Sequence, residues 1–100
     1  MLLYNVTIGI EKKVESQWLQ WTKQRYIPLV MATNLFLDSK LYKVLHDDDD
    51  SSVSYSVQFF AESIEHVMTY LDKFEPAIGQ ELMQTFRDRH VAFRTLLEEV

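Results

Sequence analysis

The chain has 100 residues, of which 47% are hydrophobic and 13% aromatic, with two glycines, two prolines and no cysteine. This composition is typical of a single packed domain over residues 1–100. It excludes a disordered chain, a disulfide framework and a thiolate metal site. The net charge is −5. Because nucleic-acid binding needs a basic footprint, we expect no nucleic-acid partner.

The first residues lack the basic start and long apolar run of a signal peptide. No apolar run approaches the roughly 18 residues that would span a bilayer. The sequence therefore predicts a cytoplasmic protein without a membrane partner.

The chain opens with a strand and then a helix. Apolar residues alternate from Tyr4 to Ile10, which is the period of a half-buried strand. At Glu11 the spacing becomes helical, with the apolar positions Val14, Trp18, Leu19 and Trp21. Pro28 should end or kink this helix near Tyr26, because its ring clashes with the preceding turn.

Two further strands follow. The second is predicted over 35–45, with Leu35, Leu37, Leu41 and Leu45 toward the core and Phe36, Lys40, Tyr42 and Val44 on the other face. The four aspartates from Asp47 to Asp50 then mark a solvated hairpin tip. The third strand, Val53 to Ala61, shows the clearest alternation in the chain.

A second helix and a fourth strand complete the pattern. Ser63 is predicted to be the N-cap of this helix. An apolar stripe at helical spacing runs from Ile64 to Ile78, and Pro76 and Gly79 interrupt the helical pattern. The segment from His90 to Leu97 alternates again.

Together these elements predict an α+β, ferredoxin-like βαββαβ fold. Its four-stranded antiparallel sheet has the order 4-1-3-2, and both helices cover one face. The uncovered face is predicted to carry Leu3, Asn5, Thr7, Ser54, Ser56, Gln58, Phe60, Ala92, Arg94, Leu96, Phe36 and Tyr42. Because such a face is too apolar to meet water alone, we expect a homodimer formed through it.

Several short segments also resemble a bacterial family of unknown function among the dimeric α/β-barrel proteins. The segments are YNVT at 4–7, WLQW at 18–21, IP at 27–28, YSVQF at 55–59 and VAFRTLLEE at 91–99. The resemblance implies a ferredoxin-like subunit whose sheet packs on that of a second copy, and it implies no activity.

The wider barrel superfamily includes cofactor-independent monooxygenases and haem-degrading enzymes. The chain is similar to them in an asparagine on the first strand, here Asn5. It departs from them near the third strand, where it has Phe59 and Phe60 in place of a tryptophan. His66 is loosely similar to the haem-ligating histidine of the degrading enzymes.

Four polar residues form the predicted ligand site. Asn5, Thr7, Gln58 and Arg94 are placed on neighbouring strands of one face, where Arg94 would meet an anionic or carbonyl group and the amides would orient it. The alternative is that these groups pair with one another and with Glu62 or Glu98 and only hold a dimer together.

The other polar clusters have simpler interpretations. His46, His66 and His90 lie in no metal-binding spacing, and Glu62 with His66 is predicted to be a surface pair. The aspartate run lacks the glycine and distal glutamate of a calcium loop. Trp18 and Trp21 are predicted to be core residues. We predict no metal and no cofactor.

The leading hypothesis is a homodimeric barrel protein that binds a small organic ligand or a protein partner in or near the cavity between the two sheets. The alternatives are a cofactor-independent oxygenase or isomerase that uses Asn5 and Arg94, and a purely structural dimerisation module.

Overall fold

The sheet is built on two central strands that bury every second side chain. In the computed structural model, which describes residues 1–45, 51–87 and 89–100, β1 spans Leu2–Glu11 and β3 spans Ser52–Ala61. Both strands alternate strictly between buried and half-buried positions, as their period-two pattern predicts. They pair antiparallel with Val6 opposite Val57, so their buried side chains share one face.

Two edge strands complete a four-stranded antiparallel sheet in the order β2-β3-β1-β4. The strand β2 spans Asp38–Lys43 and pairs with β3, while β4 spans His90–Glu98 and pairs with β1. This confirms the predicted order and the ferredoxin-like fold.

Helices cover the face that carries Tyr4, Val6 and Ile8. A 3-10 turn at Lys12–Val14 leads into α1, Glu15–Trp21, and a π-helical turn at Thr22–Tyr26 joins α1 to α2, Ile27–Met31. The same face is also covered by α3, Ile64–Lys73, and α4, Glu75–Thr85. No helix among the described residues is both long enough and apolar enough to span a bilayer.

The π-helical turn explains how the helix passes Pro28 without ending. Proline cannot donate the backbone hydrogen bond of a regular helix, and its ring presses on the carbonyl four residues earlier. The turn before it is widened, and the N–H of Ile27 bonds to the carbonyl of Thr22, five residues back. Pro28 then sits in the first turn of α2, where a missing N–H costs nothing.

An aromatic core joins the helices to the sheet. The Trp18 ring lies 5.0 Å from that of Tyr55, and Phe59 contacts both Tyr26 and Phe36. Trp18 is fully buried and Trp21 packs against the same core, as predicted.

The predicted faces of β2 and its flanks were partly wrong. Phe36 is 6% exposed and belongs to the core, while Leu37 and Leu45 are 55% and 79% exposed. The strand begins only at Asp38, so Phe36 lies in the preceding loop and the alternation that we extended to it does not apply. Tyr42 does lie on the helix-free face, opposite Ser56.

The face predicted for β4 was also wrong, by one residue. Phe93 lies opposite Thr7, and Thr95 lies opposite Asn5, so these residues share the helix-free face. Arg94 lies opposite Val6 on the helix side. The strand is apolar at both odd and even positions, so its pattern does not decide which set faces the helices. Because β4 is an edge strand, its side chains on both faces of the sheet are exposed to solvent.

Candidate functional site

The polar residues of the helix-free face bond to one another. Gln58 Nε2 donates to Ser56 Oγ at 3.2 Å, Ser56 Oγ donates to Asn5 Oδ1 at 2.5 Å, and Asn5 Nδ2 donates to Thr7 Oγ1 at 2.9 Å. The sheet thus brings three predicted site residues together, Asn5, Thr7 and Gln58. Their side chains satisfy much of their hydrogen-bonding capacity within this chain of four groups.

Arg94 does not join this group. It lies on the opposite side of the sheet, where its guanidinium donates to the Glu75 carboxylate on α4. The structure therefore does not bring Arg94 together with Asn5, Thr7 and Gln58 on one face of the sheet. The cause is the β4 register, which turns Arg94 toward the helices.

The Glu75 carboxylate lies over a glycine. Glu75 is at the start of α4, and Gly79 is one turn later. A Cβ at position 79 would lie only 2.5 Å from Glu75 Oε1. Glycine in a helix interior is unfavourable, so its place here is explained by the space that the carboxylate occupies beside Arg94.

A cavity of about 510 Å³ opens at this ion pair, between α4 and the strands β1 and β4. Its volume falls in the usual range for small-molecule sites, about 300–1,000 Å³. The apolar walls are formed by Val6, Ile78, Leu82 and Met83. The polar lining is formed by Tyr4, Tyr26, Tyr70, Glu75, Arg87, His90 and Arg94.

Three tyrosines present hydroxyl groups at this cavity. Their rings are buried in the aromatic core, with Tyr4 5.7 Å from Tyr70 and Tyr26 in edge contact with Phe59. All three residues line the cavity and are buried, yet each hydroxyl keeps some contact with solvent, which indicates that the hydroxyls face the cavity. Within the described part of the chain, none of the three has a hydrogen-bond partner.

These hydroxyls stay protonated. Burial raises the pKa of Tyr4 to about 12, against a lowering by Arg94 and a further raising by Glu75. Burial likewise raises the pKa of Tyr26 and of Tyr70 well above that of an exposed phenol. Near neutral pH the three groups are therefore hydrogen-bond donors and acceptors for a bound molecule, not bases.

His90 borders the cavity where β4 begins. Its Nδ1–H donates to the Phe86 carbonyl at 2.9 Å, since a carbonyl can only accept. This bond fixes the proton of a neutral ring on Nδ1 and leaves Nε2 as an acceptor. His66 lies elsewhere, on α3, where its Nδ1 is 2.9 Å from Ser63 Oγ.

One segment interpreted from the sequence lies outside what the structure describes. His46 and Asp47 to Asp50 fall in the segment 46–50, so the predicted hairpin tip without calcium stays a prediction. In the described ranges, no three His, Asp or Glu side chains are grouped as a metal site would require.

The sequence carried weak signals for the residues that line the cavity. Tyr4 stands on the core face of β1, where a buried phenol needs a partner for its hydroxyl. Gly79 interrupts an apolar helical stripe and marks a close approach. Glu75, Tyr26 and Tyr70 had no signal of their own, because only packing brings them to the same cavity.

Comparison with known proteins identifies a family whose description assigns no activity. A family described as a domain of unknown function, DUF4286, matches residues 1–100. No curated protein matches the chain.

Solved structures share the fold at low sequence identity. An ethyl tert-butyl ether degradation (EthD) family protein from Bacillus halodurans is 12% identical with a TM-score of 0.70, and the match covers 100% of both chains. SnoaB, a cofactor-independent oxygenase from Streptomyces nogalater, is 11% identical with a TM-score of 0.62, over 98% of this chain and 92% of that one. A dimeric ferredoxin-like protein from an uncultured marine organism is 10% identical with a TM-score of 0.61, over 99% and 98%. At these identities the likeness concerns the fold alone.

Proposed function

Since the chain belongs to the DUF4286 family, whose description assigns no activity, we propose its function from geometry: it is a homodimer in which each subunit binds a small organic molecule between α4 and the sheet. The observation that carries this proposal is the cavity of about 510 Å³ lined by three tyrosine hydroxyls. Within the described residues these hydroxyls have no protein partner, and each keeps some contact with solvent. A bound polar molecule would take the place of water as their hydrogen-bond partner.

Under this proposal the site lies on the helix side of the sheet and not between two sheets. The polar groups of the helix-free face already bond to one another, from Gln58 through Ser56 and Asn5 to Thr7. Asn5 and Arg94 lie on opposite faces. An oxygenase or isomerase that uses both on one substrate has no support in this arrangement.

The helix-free face supports the homodimer. Val91, Phe93 and Leu97 are 60%, 67% and 48% exposed there, beside Leu3 and Phe60. Two strands of ten residues, one of nine and one of six, at about 3.3 Å per residue and about 4.8 Å between strands, give a face of about 550 Å². Two such faces bury about 1,100 Å², slightly more than the roughly 1,000 Å² expected of a biological interface. One of the proteins with this fold is described as dimeric.

Probes of naphthalene carboxamide and naphthalene carboxylate test the cavity. We expect either probe to shift the backbone amide signals of Val6, Gly79 and Ala92 in a titration followed by NMR. Ala92 lines the cavity, so Ala92→Trp should fill it and abolish these shifts. The matched control is Ala77→Trp on α4, since Ala77 is exposed outside this cavity.

Two results would refute the proposed site. In one, neither probe binds at millimolar concentration. In the other, the shifts fall on the helix-free face, on Asn5, Thr7 and Gln58, which would restore the site predicted between the sheets.

The dimer has a separate test. Sedimentation at micromolar concentration should show a species of twice the 11.9 kDa chain mass. Phe60→Asp should dissociate it, because the interface would bury an unpaired carboxylate at a cost of several kcal/mol. Met68→Asp, at a position 55% exposed on α3, is the control that should leave the dimer intact. A wild-type chain that sediments only as a monomer would exclude the homodimer.

A further inference from the structure

We propose that the molecule bound in this cavity carries a carboxylate, or a similar planar oxyanion, and that this group takes the place of the Glu75 carboxylate beside Arg94. The inference rests on the proposed function and adds the chemical class of the ligand. Three observations among the described residues support it: the charges of the cavity lining, the position of the Glu75 carboxylate over Gly79, and the tyrosine hydroxyls without a protein partner.

The described lining of the cavity has an excess of positive charge in an acidic chain. Among these described residues, Arg87 and Arg94 stand against one carboxylate, that of Glu75, while the whole chain has a net charge of −5. Arg94 is paired with Glu75, and within the described ranges Arg87 has no ion-pair partner. An anionic ligand would balance this local excess. A cationic ligand would add to it.

The place beside Arg94 is already shaped for a carboxylate. The Glu75 side chain extends along α4 over Gly79. Because Gly79 has no side chain, the carboxylate has room there. A guanidinium presents parallel donors that match the two oxygens of a carboxylate, which a lysine cannot reproduce. The Glu75 carboxylate thus marks a position in which a ligand carboxylate would meet the same donors.

A ligand carboxylate can replace Glu75 as the ion-pair partner of Arg94. The Arg94 side chain is 53% exposed and that of Glu75 is 17% exposed, so the pair lies at the mouth of the cavity. Ion pairs in contact with water contribute little to stability, because solvent screens them. Glu75 is in the first turn of α4, so its side chain can turn into solvent when another anion binds to Arg94.

The rest of the lining suits an acid with an apolar body. Ile78 and Leu82 are buried on one wall and Val6 on the other. Tyr4 and Tyr26 offer hydroxyl groups that remain protonated and can bond to a carbonyl or hydroxyl of the ligand. The arrangement therefore fits an aromatic or alicyclic carboxylate with one further oxygen.

Three probes that share one ring system but differ in charge test whether the cavity prefers an anion. Naphthalene carboxylate, naphthalene carboxamide and naphthylmethylammonium are titrated into the full-length protein by calorimetry. We expect wild type to bind the carboxylate about tenfold more tightly than the amide, and the ammonium more weakly than either.

Two substitutions then test the roles of the ion pair. Arg94→Met should remove the preference, so that the carboxylate binds no more tightly than the amide. Glu75→Gln should raise the affinity for the carboxylate several-fold, because it frees Arg94 without losing the shape of the side chain. Arg25→Met is the matched control, since Arg25 pairs with Glu81 outside the cavity.

The possible failures point to different causes. If wild type binds the amide as tightly as the carboxylate, the ligand class is wrong and the binding site stands. If the ammonium binds most tightly, Glu75 is the anchor and the proposed exchange is overturned. If Glu75→Gln weakens carboxylate binding, Glu75 is not a competitor. If none of the three probes binds, the proposed function fails together with this inference.

Discussion

Replacing Thr22 by valine should stabilise the protein. Thr22 opens the π-helical turn and is fully buried, and its hydroxyl Oγ1 has no hydrogen-bond partner among the described residues. Valine keeps the branched shape at Cβ and replaces the hydroxyl by a methyl group. The change removes a buried polar atom without opening a space.

The size of the gain follows from the burial. An unsatisfied buried hydroxyl costs about 1–3 kcal/mol, and the methyl group adds a small hydrophobic gain. We expect the free energy of unfolding to rise by about 1–2 kcal/mol. In a domain of this length that corresponds to a melting temperature higher by about 5–15 °C.

Thermal and urea denaturation at one fixed protein concentration measure the effect, since a dimer's stability depends on concentration. Thr33→Val is the control: its hydroxyl donates to the Val30 carbonyl at 2.7 Å, so this variant should lose about 0.5–1.5 kcal/mol. The reasoning fails if Thr22→Val is neutral or destabilising. That result would mean that a buried water bridges the Thr22 hydroxyl to the equally unpartnered Nε1 of Trp18.

Three further predictions follow from other parts of the fold. The hydrogen bond from Tyr55, with help from Lys43, lowers the pKa of Glu15, so its stabilising effect is present above the unfolded pKa and lost as the pH falls through the folded one. Urea titrations should therefore show Glu15→Gln less stable than wild type at pH 7, with the difference shrinking as the pH falls below the usual pKa of a glutamate; a difference independent of pH would contradict this. Replacing Asp47–Asp50 by serine and glycine should leave the melting temperature nearly unchanged with or without calcium, whereas a calcium-dependent rise of many degrees in wild type would reveal a site. Gly79→Ala should displace the Glu75 carboxylate and, like Glu75→Gln, strengthen the binding of naphthalene carboxylate; weaker binding would show that the cavity itself has closed.

The sequence by itself determined the fold. The alternation in β1 and β3 and the helical spacing after Glu11 and Ile64 fix which side chains need burial, and only a sheet covered by helices on one face provides it. Four strands and two helical segments joined in this order leave few topologies. These properties are local or follow from connectivity, so they can be predicted from the chain alone.

Only the tertiary structure decided where the proposed site lies. The β4 strand is apolar at both odd and even positions, so its register, and with it the side on which Arg94 lies, depends on pairing with β1. A shift by one residue separates Arg94 from Asn5 and gives it Glu75 as a partner. The cavity gathers Tyr4 and Tyr70, which lie far apart in the sequence. Their meeting is a property of packing, which no local pattern encodes.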